Sequence, residues 1–335
     1  MQDNNGFVPN DHGNGQKKFP DQGYIPLKDY EPSKQQKHFR KRRNNILLLA
    51  IIGLCLMGIS NFSMSGTEKE IKLSKDISHL NGGELFLEGR NGTVILEGTE
   101  GQKIKLNIVY QPSMSTLGKS VVLDIIEDDG KVYLDYDKSK FRSLSIKAEI
   151  PEGIFEDIHI KTSNGRLEMA ELDSLTALLE TSNAKVDVEG WRGKKLDIKT
   201  SNGSVELDDV SGDEVEVNTS NAKVDLELVK GKDMVIQTSN GAINFESDHL
   251  DSNNKYRWIF VTSNASVKLD LLDTKEIGYR IDADTSNSII AHKLDNFNVN
   301  ENTEKVLNGE TGNYDKANIK VDIEIHTSNG TIEIE

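Results

Sequence analysis

An all-β solenoid is the fold class this sequence predicts, and three observations predict it. The tetrapeptides Thr162-Ser163-Asn164-Gly165, Thr181-Ser182-Asn183-Ala184, Thr200-Ser201-Asn202-Gly203, Thr219-Ser220-Asn221-Ala222 and Thr238-Ser239-Asn240-Gly241 recur every 19 residues. Apolar residues fall four and two places before each Thr, and again five and seven places after it. A further apolar column, ten places after the Thr, lies close to a Gly-containing corner. A fixed period of this length marks stacked supersecondary units, and spacing by two on each side of a corner marks two half-buried strands per unit.

The inner columns are Ile158 and Ile160, Leu196 and Ile198, Val215 and Val217, Met234 and Ile236, Trp258 and Phe260 before the corner. After it come Leu167 and Met169, Val186 and Val188, Val205 and Leu207, Val224 and Leu226, Ile243 and Phe245, Val267 and Leu269. Leu172, Trp191, Val210, Val229 and Leu272 form the third column, near Gly190, Gly193, Gly212 and Gly231. One such unit cannot bury its apolar face, whereas many in register make a continuous core and pair each other's backbones. The corner Asn residues Asn164, Asn183, Asn202, Asn221 and Asn240, with Asn264, Asn287 and Asn329 of three more widely spaced copies, are expected to be structural. Asn tolerates left-handed backbone, and stacked amides can bond along the axis. Gly and Ala alternate after the first Asn residues, which adds a 38-residue period. We expect 19 residues per rung, with two units per rung as the alternative.

The pattern extends in degenerate form toward the N-terminus. Leu85, Leu87, Val94 and Leu96 flank Gly89-Arg90-Asn91-Gly92, and Leu123, Ile125, Val132 and Leu134 flank Glu127-Asp128-Asp129-Gly130. Residues 81–335 are therefore assigned to the solenoid, with a strand closed by Pro151. Between the Thr285 and Thr327 copies, the Asn-rich segment 296–318 is expected to fold over the open end beyond the last unit, where exposed strand edges need cover.

Ahead of the solenoid, residues 1–44 are rich in Asn, Asp, Gln, Gly, Pro and Lys without a period and are expected to be a disordered cytoplasmic tail. Residues 45–64 are expected to form a single transmembrane helix. The uncharged run 46–64 is 19 residues, or about 28 Å of helix. Lys37, Arg40, Lys41, Arg42 and Arg43 precede it, which places the tail inside and the rest outside. A cleaved signal peptide would need an n-region far shorter than this one. Residues 65–80 are expected to be a juxtamembrane linker.

Cys55, the sole cysteine, falls within the expected span, so the solenoid has neither disulfides nor thiol chemistry. The net charge is −15; residues 1–45 carry nine Lys/Arg against five Asp/Glu, a net of +4, which leaves −15 − 4 = −19 beyond them. Such acidity argues against nucleic acid or other polyanions as partners. It accords with cations, basic partners or solubility alone.

The approach Ala148-Glu149-Ile150-Pro151, the serial Thr-Ser-Asn-Gly corners and the ending Ile325-His326-Thr327-Ser328-Asn329-Gly330-Thr331-Ile332 resemble the bacterial putative-adhesin family of β-strand-repeat domains of unknown function. The likeness spans residues 85–335. With its single anchor, the chain also resembles membrane-anchored accessory proteins encoded beside cell-envelope-stress sensors in Gram-positive bacteria. The resemblance implies a right-handed parallel β-helix outside the membrane and supplies no catalytic residues.

The sharpest chemical feature is acidic. Glu168, Asp187, Glu206 and Asp225 lie six places after their Thr, and Glu189, Asp208, Glu227, Glu246 and Asp270 lie eight places after. Rungs in register would bring neighbouring carboxylates to about 5 Å, where like charges repel unless cations or lysines such as Lys185 and Lys223 intervene. This is a candidate binding face for a divalent cation or a basic ligand, set against a plain solvated face. The five histidines beyond the expected span, His79, His159, His249, His292 and His326, are scattered without metal-ligand spacing, and no phosphate loop, zinc signature or nucleophile elbow is present. No cofactor is expected. The sequence thus predicts a non-catalytic binding, adhesive or envelope-stress module at the cell membrane, with a cell-wall polymer or envelope protein as partner. A polysaccharide-active β-helix enzyme and a self-assembling filament are the alternatives.

Overall fold

The computed structural model describes residues 68–335, which form an all-β structure of 24 strands and three short 3-10 turns. The N-terminal part comprises β1 (Lys69–Asp76), β2 (Gly83–Glu88), β3 (Asn91–Thr99), β4 (Lys103–Pro112), β5 (Asp124–Asp128), β6 (Lys131–Asp135) and β7 (Phe141–Pro151). The regular part runs through β8 (Phe155–Lys161), β9 (Leu167–Ala170), β10 (Thr176–Glu180), β11 (Val186–Glu189), β12 (Lys195–Lys199) and β13 (Val205–Asp208). It continues with β14 (Ser211–Asn218), β15 (Val224–Gln237), β16 (Ile243–Ser247), β17 (Lys255–Val261) and β18 (Val267–Asp270). Last come β19 (Ile277–Thr285), β20 (Ile290–His292), β21 (Phe297–Asn302), β22 (Val306–Thr311), β23 (Ile319–Thr327) and β24 (Ile332–Ile334). The expected tail and transmembrane helix lie outside the described residues. Among the described residues, no helix is long and apolar enough to cross a membrane.

Each regular unit places its pre-corner strand in one parallel sheet and its post-corner strand in a second. Ala177 stands opposite both Ile158 and Leu196, and Val186 opposite both Leu167 and Val205. A rung is therefore 19 residues. The long β15 belongs to both sheets, pairing with β13 and β16 through its first half and with β14 and β17 through its second.

The apolar columns meet between the sheets, with Val186, Val205, Val224, Ile243 and Val267 each fully buried. Burying such a side chain contributes about 1.5–3 kcal/mol, so each rung adds a similar increment to one continuous core. Trp191 and Trp258 are also fully buried, and each indole N–H has an acceptor: Ser174 Oγ at 3.0 Å and the Gly231 carbonyl at 2.9 Å. The third column is buried at Leu172, Trp191, Val210 and Val229. In the Thr262 rung Leu271 is the buried residue rather than Leu272.

The ends depart from the expected order. The rung of β23 and β24 is not terminal: β23 lies between β17 and β19, and β24 between β18 and β20. The Thr327 copy is thus wedged between the Thr262 and Thr285 copies. The insert does close the stack, but on the Thr285 rung, where β22 and β21 form an antiparallel hairpin against β19.

At the other end, Glu127-Asp128-Asp129-Gly130 is not a solenoid corner. Asp129 and Gly130 both have positive φ (48° and 77°) and turn β5 back on β6 as an antiparallel hairpin. β6 then fills a pre-corner position on β2, and β7 the post-corner position on β3, so this rung lies outside the earlier one. Beyond it β4 and β1 add antiparallel strands. The segment 65–80, expected as a linker, therefore supplies β1 to the sheet, and the folded unit includes Lys69. Its charged sequence, KEIKLSKD, suits an edge strand, because charges there discourage further pairing.

Candidate functional site

The corner side chains form one continuous line. Asn164 donates its amide to Asn91 Oδ1, and Asn183, Asn202, Asn221, Asn240, Asn264, Asn329 and Asn287 each donate to the preceding rung at 2.6–2.8 Å. Asn91 in turn donates to the Arg142 carbonyl at 3.2 Å. All the amides point the same way, so each bond polarises the next.

Left-handed backbone does not explain these corners. Of the ladder, only Asn91 has positive φ; the other positive values in the regular rungs fall at the second corner, at Glu171, Gly190, Asp209, Leu228 and Asn253. The corner Thr residues have a role the repeat alone did not reveal. All eight are buried, and in seven of them the hydroxyl bonds the carbonyl after the Asn of the neighbouring rung, as in Thr181 to Gly165 at 3.3 Å and Thr262 to Gly241 at 3.0 Å.

The same corners explain the 38-residue period. A Cβ on Gly203, Gly241 or Gly330 would overlap the carbonyl of Ala184, Ala222 or Ala265 one rung away. In these rungs the Gly N–H instead bonds its own Thr hydroxyl, at 3.0–3.2 Å. Peptide orientation at the corner therefore alternates from rung to rung, and only every second rung needs Gly. The displaced Thr327 copy obeys this rule, since it brings Gly330 onto Ala265, whereas the Thr285 copy carries Ser288 at that place.

Both acidic columns are in register on the outer face of the second sheet. Glu168, Asp187, Glu206 and Asp225 are direct neighbours, as are Glu189, Asp208, Glu227, Glu246 and Asp270. None of the nine is buried. The first column is largely compensated within the protein, three basic side chains meeting its four carboxylates. Arg166 bridges Glu168 (3.0 Å) and Asp187 (2.7 Å), Lys185 bridges Asp187 (3.1 Å) and Glu206, and Lys223 binds Asp225 (2.7 Å). Asn244 adds an amide donor to Asp225 at 2.7 Å. Partial burial pushes the Glu168 carboxyl above the usual range despite Arg166. Arg166 was not foreseen in this role, although it occupies the same place in its unit as Lys185 and Lys223.

The first sheet presents a different outer face. His159 contacts Glu180 at 3.0 Å and packs edge-on against Phe86, with ring centroids 4.8 Å apart. Burial raises the Glu180 carboxyl, but hydrogen bonds from Lys161 and His159 outweigh it and hold the group low. His326 bonds Asp284, and Asp322 gathers Lys255 (2.6 Å), Tyr314 and Arg280. Arg280 also stacks 4.1 Å from the Tyr314 ring centre. These contacts join β17, β19 and β23, and sequence order conceals them because the rungs are not stacked in that order. Beside the terminal rung, a cleft of about 610 Å³ is lined by Leu271, Leu272, Tyr279, Lys293, Asp295 and Asn313 among others. Among the described residues, no three or more His, Cys, Asp or Glu gather as they would around a metal ion.

The family model described as Toastrack DUF4097 matches residues 94–335, well over half of the chain. The chain belongs to the Toastrack DUF4097 family. The matched region begins at Val94, in β3, and takes in every regular rung and the displaced Thr327 rung. No curated protein matches the chain. Among solved structures, it is similar to a putative adhesin from Bacteroides fragilis at 13% identity, covering 82% of this chain and 100% of the other, with a TM-score of 0.47. A putative adhesin from Parabacteroides merdae has 13% identity, 81% and 97% coverage and a TM-score of 0.36. A putative lipid binding protein from Parabacteroides distasonis has 12% identity, 81% and 99% coverage and a TM-score of 0.24.

Proposed function

We propose that this Toastrack protein is a non-catalytic binding module held at the outer face of a cell membrane. Residues 46–64 act as a single-pass anchor with the basic tail inside, and the solenoid presents its two outer faces to a cell-wall polymer or an envelope protein. One observation supports binding over catalysis: outward side chains repeat in register from rung to rung, as in Glu168, Asp187, Glu206 and Asp225. Such a surface meets an extended partner through many equivalent contacts, whereas an enzyme brings acid, base and nucleophile together at one place. Salt bridges along the first acidic column lower its net charge, which suits a neutral or mixed-charge polymer.

The test incubates the protein with fractionated cell wall, membranes and purified polysaccharides, scoring retention and cleavage separately. Retention on one fraction without release of fragments is expected. Release of shortened saccharides would instead favour a polysaccharide-active enzyme, and retention on none would overturn the binding role. Protease shaving of intact cells, expected to remove residues 68–335 and spare the tail, tests the orientation. The filament reading is disfavoured by the hairpin of β21 and β22 and by the charged strand β1, which occupy the edges that self-assembly would need.

A further inference from the structure

Six large apolar side chains are exposed among the described residues, and three of them, Met114 (87%), Leu117 (51%) and Val122 (74%), fall within nine residues of one loop. This loop, 113–123, leaves β4 at Pro112. Its base is held in place: Ser113 N–H bonds the Lys140 carbonyl at 2.8 Å, and the buried Thr116 donates its hydroxyl to the same carbonyl at 2.8 Å. A fixed base with apolar side chains projecting from it differs from scattered surface leucines, which need no explanation.

The position of the loop is equally specific. In the antiparallel pair of β1 and β4, Lys69 lies opposite Tyr110, so the start of β1 and the start of the loop share one edge. Gln111 donates its amide to Glu68 at 3.1 Å, at the same edge. Only residues 65–68 separate the uncharged run 46–64 from β1. Four residues span at most about 14 Å. If the run crosses a bilayer, the apolar loop is tethered at that bilayer's surface.

Charge agrees with this placement. The edge gathers Lys69, Lys119, Lys138, Lys140 and Arg142, in a region whose net charge from residue 46 onward is −19 by the arithmetic above. Pro112 pairs with Phe141, which brings Lys140 and Arg142 beside the loop. Glu68, Glu88, Asp137 and, just after the loop, Asp124 lie there too; Lys138 pairs with Glu88 at 2.5 Å and Lys140 lies 3.7 Å from Asp137, so Lys69, Lys119 and Arg142 are the cations outside those two pairs. Apolar side chains flanked by Lys69, Lys119 and Arg142 suit the headgroup layer of an anionic membrane.

We propose that loop 113–123 is a lipid-contact element, with Met114, Leu117 and Val122 seated in the interface of the bilayer that residues 46–64 span. This rests on the membrane-anchor reading given above. The contact would hold the N-terminal end of the solenoid at the bilayer surface.

The test uses the full chain reconstituted in vesicles of phosphatidylcholine and phosphatidylglycerol, with an environment-sensitive fluorophore on one thiol at a time. Native Cys55 reports on the span. In a Cys55→Ser background, Leu117→Cys reports on the loop and Ser239→Cys, an exposed corner, serves as control. Nitroxide lipids should quench Cys55 from mid-chain positions and the Leu117→Cys label from shallow positions, several-fold more than the control. A quenched Cys55 with an unquenched loop label would overturn the proposal and leave the anchor standing. An unquenched Cys55 would overturn the anchor and, with it, the proposal. A loop signal that grows with the protein-to-lipid ratio would mark contact between copies and also overturn it. Met114→Asp with Val122→Asp should abolish shallow quenching at the loop without changing quenching at Cys55, and unchanged loop quenching would count against lipid contact.

Discussion

The side-chain amide of Asn329 donates to Asn264 at 2.7 Å, across 65 residues of sequence. The Asn287 amide, from a copy that precedes Asn329 in the chain, then donates to Asn329 at 2.8 Å. The corner ladder is therefore continuous in space but not in chain order.

If the ladder stabilises the stack, Asn221→Asp should cost more than Asn221→Ala. Aspartate is as compatible with a corner as asparagine, but it cannot donate to Asn202 and it places a charge in the line. Loss of two exposed amide bonds in the alanine variant should cost about 1 kcal/mol. Urea unfolding measures both, and an aspartate variant as stable as the parent would show that the amides contribute nothing.

The alternation of corner peptides predicts an asymmetry between neighbouring rungs. Gly241→Ala forces a methyl group onto the Ala222 carbonyl and should destabilise by about 3 kcal/mol. Ala222→Gly, one rung away, should cost no more than about 1 kcal/mol. Equal effects in thermal unfolding would mean that the two corners are equivalent after all.

Two carboxylates should respond to pH in opposite senses. Glu168 has a raised folded pKa, so its ionisation opposes folding; Glu168→Gln should gain stability at neutral pH, and the gain should fade below the ordinary carboxylate range. Glu180 has a lowered folded pKa, so its charge favours folding above the ordinary value. Glu180→Gln should lose stability at neutral pH, and the loss should fade as pH falls through the lowered value. Melting temperatures followed from pH 3 to 8 separate the two.

The hairpin of β21 and β22 should act as an edge cover. Its removal, with residues 296 and 312 joined through a short Gly-Ser turn, exposes the backbone of β19 to other copies. Sedimentation velocity should then show association that the intact chain lacks. A monomeric deletion variant would show that β19 needs no cover.

The interior columns were readable because two-residue alternation on a 19-residue period leaves little freedom: Val205 faces inward and Glu206 outward in any register that keeps the core. The acidic neighbours followed from the same register, and so did the part played by Lys185 and Lys223. The order of the rungs was harder, because the strand edges of one repeat unit pair equally well with any other. The discriminating signal was nevertheless present. Ala265 requires glycine on the adjoining rung, and Gly330 supplies it where Ser288 would not. The Glu127–Gly130 segment misled for a different reason: its flanking apolar residues match the columns, yet Asp129-Gly130 is a two-residue hairpin signal, and both residues adopt the positive φ such a turn requires. Contacts such as Tyr314 with Asp322 depend on the displaced rung and become visible only once that order is known.

The wedged position of β23 and β24 has a consequence for biogenesis. As the polypeptide is made, the strands of residues 277–292 are complete before the strands that belong beneath them exist. That layer cannot take its final neighbours until residues 319–334 have been made, so the far end of the stack is completed last.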